Sequence, residues 1–249
     1  MNQVQMAPIT PIVKKLAIAM ISVWLIMQIF MDKIFQLNLS TLFVLHPDFV
    51  IEKFWVWQLV TYMFFHALSP FHIFFNLIML WFIGSDLEKH WGPKFFLIYF
   101  FTTGVGAAII YCLSVAIYAA ITGAQGPLVI PVMGASGAIF GLMVAYGIIF
   151  SERVVYIFGI LPLKAKYFAL IASAIELSSL LTTGFAGGEV AHLAHLGGAL
   201  VGYIFLLLIA RLKMQQSKSK LKKKSTNLRL VVDNEKINQK DDGGPKYWN

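Results

Sequence analysis

Six apolar runs, separated by short polar or glycine- and proline-containing stretches, organise this chain. They fall at roughly 16–31, 70–85, 95–120, 134–150, 167–182 and 191–210. A membrane-spanning helix needs about 20 predominantly apolar residues, and these runs fit that requirement within the few-residue error of such boundaries. The pattern predicts an all-α membrane protein built as a six-transmembrane-helix bundle. Residues 1–15 form a short N-terminal arm, 16–210 the six-span domain and 211–249 a polar tail expected to be disordered. Lys14-Lys15 before the first run mimics the start of a signal peptide. The run ends at Met31-Asp32-Lys33 without a small-residue cleavage site, so it is read as a retained span. The segment from Ile34 to Ser69 is too long for a turn and carries Trp55, Trp57, Tyr62 and Phe64. Both an outer element lying partly in the membrane interface and an ordinary aromatic belt fit it.

Composition agrees. Of 249 residues 58% are hydrophobic and only 13% charged, against roughly 25% charged in a soluble domain. The single cysteine, Cys112, excludes an internal disulfide and a cysteine-based metal site. The net charge of +8 resembles a nucleic-acid signal until it is located. Residues 211–249 hold eleven Lys/Arg against four Asp/Glu, a net +7, and the first 210 residues only +1. The basicity therefore belongs to the tail, which reads as a flank touching anionic lipid and not as a DNA-binding arm.

An even number of spans puts both termini on one side. Lys14, Lys15, Lys89, Lys94, Arg153, Lys164, Lys166 and the tail share a side, with only Lys33 and Lys53 opposite. The positive-inside rule makes that side, and both termini, cytoplasmic.

Polar residues inside the runs carry the chemistry. Ser136 begins the fourth run within Gly134-Ala-Ser-Gly137, fourteen residues above an exit near Phe150, or about 21 Å at helical rise. His195, in Ala191-His-Leu-Ala-His-Leu-Gly-Gly198, lies fifteen residues above Ala210, about 22 Å. His72, fifteen residues above Leu87, reaches the same level, with Asn76 one turn deeper on the same face. Each alone is most simply a buried polar group bonded to a neighbouring backbone. Together, Ser, two His and Asn in one layer of the outer half make a hydrolytic site. Gly137 with Gly141 and Gly198 with Gly202 form GxxxG pairs that permit close helix approach. His195 rides on the second pair's packing face, and Phe140 lies one turn below Ser136, where its ring can support an imidazole.

At these residues the chain resembles the rhomboid family of intramembrane serine proteases. The resemblance runs through Trp57-Gln-Leu-Val-Thr-Tyr-Met-Phe-Phe-His66, His72-Ile-Phe-Phe-Asn76, Glu88-Lys89, Gly134-Ala-Ser-Gly137 and Ala194-His-Leu-Gly-Gly198. It implies a rhomboid-like six-helix bundle with an interfacial outer loop and a water-filled cavity open to the outside. Ser136 and His195 would be a catalytic dyad, with His72, Asn76 and Ser136 around the oxyanion and Gly134, Gly137, Phe140, Gly198 and Gly202 in support. It further implies lateral access controlled near the fifth span, no cofactor, and single-span membrane protein substrates with small residues at the cut. The short core looks bacterial, which implies the inner membrane. Oligomeric state is not fixed by the residues. Three departures stand out: Trp57-Gln58 where the family often has Trp-Arg, Phe140 where a tyrosine often stacks, and an unusual spacing of His66 to His72.

Glu176 is the only acid deep in a span. It reads either as a gating or proton-handling group or as a carboxyl bonded to Ser178, Ser179 or a neighbouring helix. His192 reads as solvated or loop-bonded, since no HExxH or cysteine cluster supports a metal. Glu88 reads as structural, and Asp86 stands without the second aspartate that an aspartyl intramembrane protease needs. Two other classes remain: a catalytically inactive rhomboid-like protein that binds membrane helices, and a small transporter with a polar path through His72, Asn76 and His195. The transporter lacks the internal repeats expected of one.

Overall fold

The computed structural model describes residues 8–157, 160–184 and 191–226. Apolar segments withdrawn from water must satisfy their backbone N–H and C=O groups internally, and the chain does so with helices. They are α1 (Pro11–Ile34), α2 (Pro47–Glu52), α3 (Gln58–Thr61), α4 (Pro70–Trp91), α5 (Pro93–Thr122), α6 (Ser136–Ile149), α7 (Ala165–Thr183) and α8 (Ala191–Thr226). Five of them, α1, α4, α5, α7 and α8, are long and apolar enough to cross a membrane. The sixth expected span, α6, has 14 residues, about 21 Å against a hydrocarbon core of about 30 Å. A two-stranded antiparallel hairpin, β1 (Val154–Ile157) with β2 (Leu161–Lys164), joins α6 to α7 and pairs Val154 with Lys164.

The chain divides into two compact units, Met1–Leu207 and Leu208–Asn249. In the second, helix continues to Thr226, so residues 211–226 of the tail expected to be disordered are helical. The rest of that tail, 227–249, lies outside the described residues.

The bundle is patterned for lipid. On α5, Thr103, Gly104, Ala107, Tyr111, Val115 and Ala119 are buried, while Ile109, Leu113, Ile117 and Ile121 recur every fourth residue on the exposed face. Small and polar groups face inward because van der Waals packing and hydrogen bonds, not exclusion of water, draw such helices together. Tyr62 Oη donates to the Gly104 carbonyl at 2.8 Å and Tyr99 Oη to that of Gly141 at 2.8 Å.

Glu88 explains how α1 is held. A helix start leaves four backbone N–H groups without partners, and the Thr10 hydroxyl does not cap its own helix. Instead the buried Glu88 carboxylate, near the end of α4, accepts the Thr10 hydroxyl and the N–H groups of Ile12 at 3.1 Å and Val13 at 3.0 Å. The same end of the bundle holds Asp86 with Arg153 at 2.5 Å and with the Tyr146 hydroxyl at 3.1 Å. Beyond it, Lys164 and Lys166 hold the exposed Glu152 carboxyl down to about 2. Glu88→Ala is expected to strand those donors at about 1–3 kcal/mol. A thermal unfolding midpoint unchanged from wild type in detergent would contradict that role for Glu88.

The segment between α1 and α4 is folded, not a simple loop. Leu39–Leu42 forms a 3-10 turn, α2 and α3 follow, and Tyr62–Phe64 forms a second 3-10 turn. Phe54, Val56 and Trp57 project outward while Gln58 is fully buried. Gln58 Oε1 accepts the His46 N–H at 3.0 Å, and its Nε2 reaches the carbonyls of Thr41 and Leu42. A neutral amide thus ties this segment together by hydrogen bonds alone. Gln28 of α1 grips both backbone polar groups of His66, its Oε1 accepting the N–H at 2.8 Å and its Nε2 donating to the carbonyl.

Candidate active site

Ser136 is the first residue of α6, so its hydroxyl sits where the helix begins and the N-terminal N–H groups lack intrahelical partners. The approach to it is non-helical but sheathed in protein. Val132 and Leu45 exchange two backbone hydrogen bonds, at 3.0 and 2.9 Å, and the Gly134 N–H donates to the Tyr62 carbonyl at 3.0 Å. Irregular backbone at membrane depth is tolerated only when enclosed in this way. Gly134 has φ of +120°, and a Cβ there would lie 2.9 Å from His72 Nε2. A side chain at 134 would therefore be strained and would displace the His72 ring.

His195 comes from α8. Its Nε2 lies 2.7 Å from Ser136 Oγ, and its ring stacks on Phe140 with centroids 4.6 Å apart and an interplanar angle of 11°. Two glycine contacts bring the backbones together. A Cβ on Gly198 would lie 1.9 Å from the Gly137 carbonyl oxygen, and one on Gly202 would lie 3.0 Å from Gly141 Cα. The GxxxG pairs of α6 and α8 thus pack directly against each other, next to the Ser136–His195 contact.

His72 of α4 has a defined tautomer. Its Nδ1 accepts the Ala67 N–H at 3.0 Å, so the neutral ring carries its proton on Nε2. That Nε2 faces Gly134, beside the Ser136 hydroxyl. Asn76 differs: its Nδ2 donates to the His72 carbonyl at 2.8 Å, within its own helix, and its buried Oδ1 makes no hydrogen bond. His66, to which the sequence assigned no role, packs edge-on against His72 with centroids 5.3 Å apart. Burial, with the neighbouring His72 adding to it, pushes the His66 imidazole down to about 4, so the ring under His72 is neutral at neutral pH.

Glu176 is where the structure adds most. Its Oε2 lies 2.5 Å from His192 Nδ1 and 2.9 Å from His195 Nδ1. Of the two partner choices that the sequence left, the neighbouring helix holds and the nearby serines do not: the carboxylate bridges two histidines of α8. His192, expected to be solvated or loop-bonded, has a side chain only 16% exposed on this carboxylate. The only sequence signal was the histidine spacing of three on one helical face.

The rhomboid domain family matches residues 53–212. The chain belongs to the rhomboid family. Among its relatives, RHOMBOID-like protein 1 of Arabidopsis thaliana is 30% identical over 69% of this chain and 40% of its own length. RHOMBOID-like protein 12, mitochondrial, from the same plant is 28% identical over 53% of this chain and 40% of its own. Rhomboid-like protein 11, chloroplastic, is 29% identical over 78% and 65%. The chain thus spans between two fifths and two thirds of the length of these relatives. Like the family, this rhomboid is a multi-pass membrane protein, with five long apolar helices and a shorter sixth among the described residues.

Glu176, His192 and His195 offer this rhomboid three potential metal-ligand atoms within 4.8 Å of one another. Ligands of one tetrahedral zinc, at bond lengths of about 2.0–2.1 Å, sit about 3.3 Å apart. The 2.5 and 2.9 Å separations are both tighter than that, and the shorter one is a hydrogen bond between the His192 imidazole and the carboxylate.

Proposed function

We propose that this chain is an intramembrane serine endopeptidase that cleaves transmembrane segments of other membrane proteins. The observation that carries the reading is the 2.7 Å contact between Ser136 Oγ and His195 Nε2, on a ring fixed by Phe140. In the proposed reaction Ser136 Oγ attacks the peptide carbonyl carbon while His195 Nε2 accepts the hydroxyl proton. The tetrahedral oxyanion is met by the Ser136 backbone N–H at the helix start and by His72 Nε2–H, with Asn76 one turn deeper. Collapse breaks the C–N bond, and the leaving amine takes the proton from His195. Water, deprotonated by the same nitrogen, then releases the acyl group from Ser136. Substrates would be single-span membrane proteins entering from the bilayer. By the lysine and arginine distribution both termini would be cytoplasmic.

Oxyanion donors in such sites are typically worth about 3 kcal/mol. His72→Ala is therefore expected to lower turnover about a hundredfold. Asn76→Ala should lose less, because the amide is already engaged with its own helix. Equal turnover for wild type and His72→Ala would remove that histidine from the oxyanion site. The test of the whole reading is fluorophosphonate labelling of purified protein in detergent, beside Ser136→Ala and His195→Ala. Labelling that requires both residues supports the protease. A folded wild type that stays unlabelled favours the inactive, helix-binding alternative.

A further inference from the structure

A dyad histidine works as a base only if its proton sits on the far nitrogen, and something must hold it there. In this chain the obvious holder is not on either dyad helix. Glu176 projects from α7, a helix whose Leu170, Ile171, Ile175, Leu177 and Leu181 are all exposed and whose buried residues are only Ala165 and Ala169. An ionisable carboxyl on so lightly packed an apolar helix is costly without a partner. Here its side chain is only 15% exposed, and one oxygen, Oε2, stands against both Nδ1 atoms of α8.

We propose that Glu176 is a positioning residue for His195, turning the serine–histidine dyad into a carboxylate–imidazole–hydroxyl line supplied by three helices. The inference rests on the protease reading and deepens it. Glu176 Oε2, His195 Nδ1, His195 Nε2 and Ser136 Oγ follow in order, with 2.9 Å on one side of the ring and 2.7 Å on the other. A carboxylate only accepts, so when this contact is aligned Nδ1 carries the proton, and Nε2 is left with the lone pair that Ser136 needs. In the resting geometry the His195 Nδ1–H does not point along the line to Oε2 and makes no directed hydrogen bond. Such bonds in unliganded sites commonly tighten only when substrate is bound. His192 holds the other side of the same oxygen at 2.5 Å and so fixes the carboxylate against rotation. Phe140 restrains the ring plane but offers no acceptor, so it cannot select the tautomer. Among the described residues that leaves Glu176 as the group placed to do so.

The test has two parts. First, the rate of fluorophosphonate labelling of Ser136 is measured for wild type and Glu176→Gln, with the thermal unfolding midpoint of each. Glutamine keeps the shape but can present an N–H to Nδ1, favouring the wrong tautomer. A fall of more than about tenfold in labelling rate, at an unfolding midpoint close to wild type, is expected. A rate within about tenfold of wild type overturns the proposal while leaving the protease standing. If wild type itself is not labelled, the protease reading fails and the positioning role fails with it. Second, histidine-labelled wild type is examined by 15N NMR at a pH where the rings are neutral, with His195 assigned by comparison with His195→Gln. This part does not depend on whether Glu176→Gln folds. A proton on His195 Nδ1 is expected; a proton on Nε2 overturns the inference whatever the labelling rates.

Discussion

Ser136→Ala, His195→Ala and the double variant should all fall to the same floor of activity, several orders of magnitude below wild type. The physical reason is that the two groups act in one step. Without His195 the hydroxyl keeps its proton, and without Ser136 the base has nothing to deprotonate. Losses in such a unit are strongly non-additive: either single change removes nearly everything that the pair supplies. Whatever remains comes from the oxyanion donors, His72 Nε2–H and the helix start at Ser136, which the substitutions leave in place. Turnover of a transmembrane-peptide reporter by all three variants measures this. A double variant far below both single variants would mean that the residues act independently, and the 2.7 Å contact would then be packing, not a catalytic pair.

The second large effect is expected far from any reacting atom. Gly198→Val should disrupt the packing of α8 on α6, because even the first carbon of a side chain would lie 1.9 Å from the Gly137 carbonyl oxygen. Backbone carbonyls cannot swing aside like a flexible side chain, so the helices must separate. Overpacking in a well-fitted interior commonly costs about 1–3 kcal/mol. Here the displaced partner is main chain, which puts Gly198→Val at or above the top of that range. The same movement draws His195 away from Ser136, one turn up the same two helices. Lost labelling together with a lowered unfolding midpoint is the expected signature. Gly106→Val is an instructive contrast, since the atoms nearest its Cβ belong to a side chain, that of Val201 at 2.7 Å, and not to backbone. If Gly198→Val labels like wild type, the close approach does not set the dyad distance.

The membrane helices and their polar cargo were legible because each signal was local. Ser136, His195 and His72 stand out as polar groups in apolar runs, and helical rise alone puts them in one layer. The glycine pairs announced the contact that brings two of these helices together. Less legible was everything that depends on one helix meeting another in detail. Glu88 caps a helix that begins 77 residues earlier, at Pro11, and no periodicity carries that pairing. Gln28 sits unremarkably in the first apolar run, yet its partner is the backbone of His66. Glu176 stands out as an acid in a span, but its two histidines lie on the following helix, and no sequence periodicity carries that pairing. The fourth span differed for another reason. Residues 134–150 are apolar enough to cross, but Gly134 takes a positive φ and the chain before Ser136 pairs with Leu45 and Tyr62 instead of turning into helix.

The anchoring of α1 has a wider implication. The stretch that marks the chain's ancestry begins at residue 53, whereas α1 ends at Ile34. Yet Glu88, inside that stretch, seals the beginning of α1, and His66, also inside it, is clasped by Gln28 from α1's later turns. Inheritance and folding therefore draw different borders on this polypeptide. Cutting at the inherited border would leave a buried carboxylate without its donors and a buried peptide group at His66 without its clasp, even though every dyad residue would still be present.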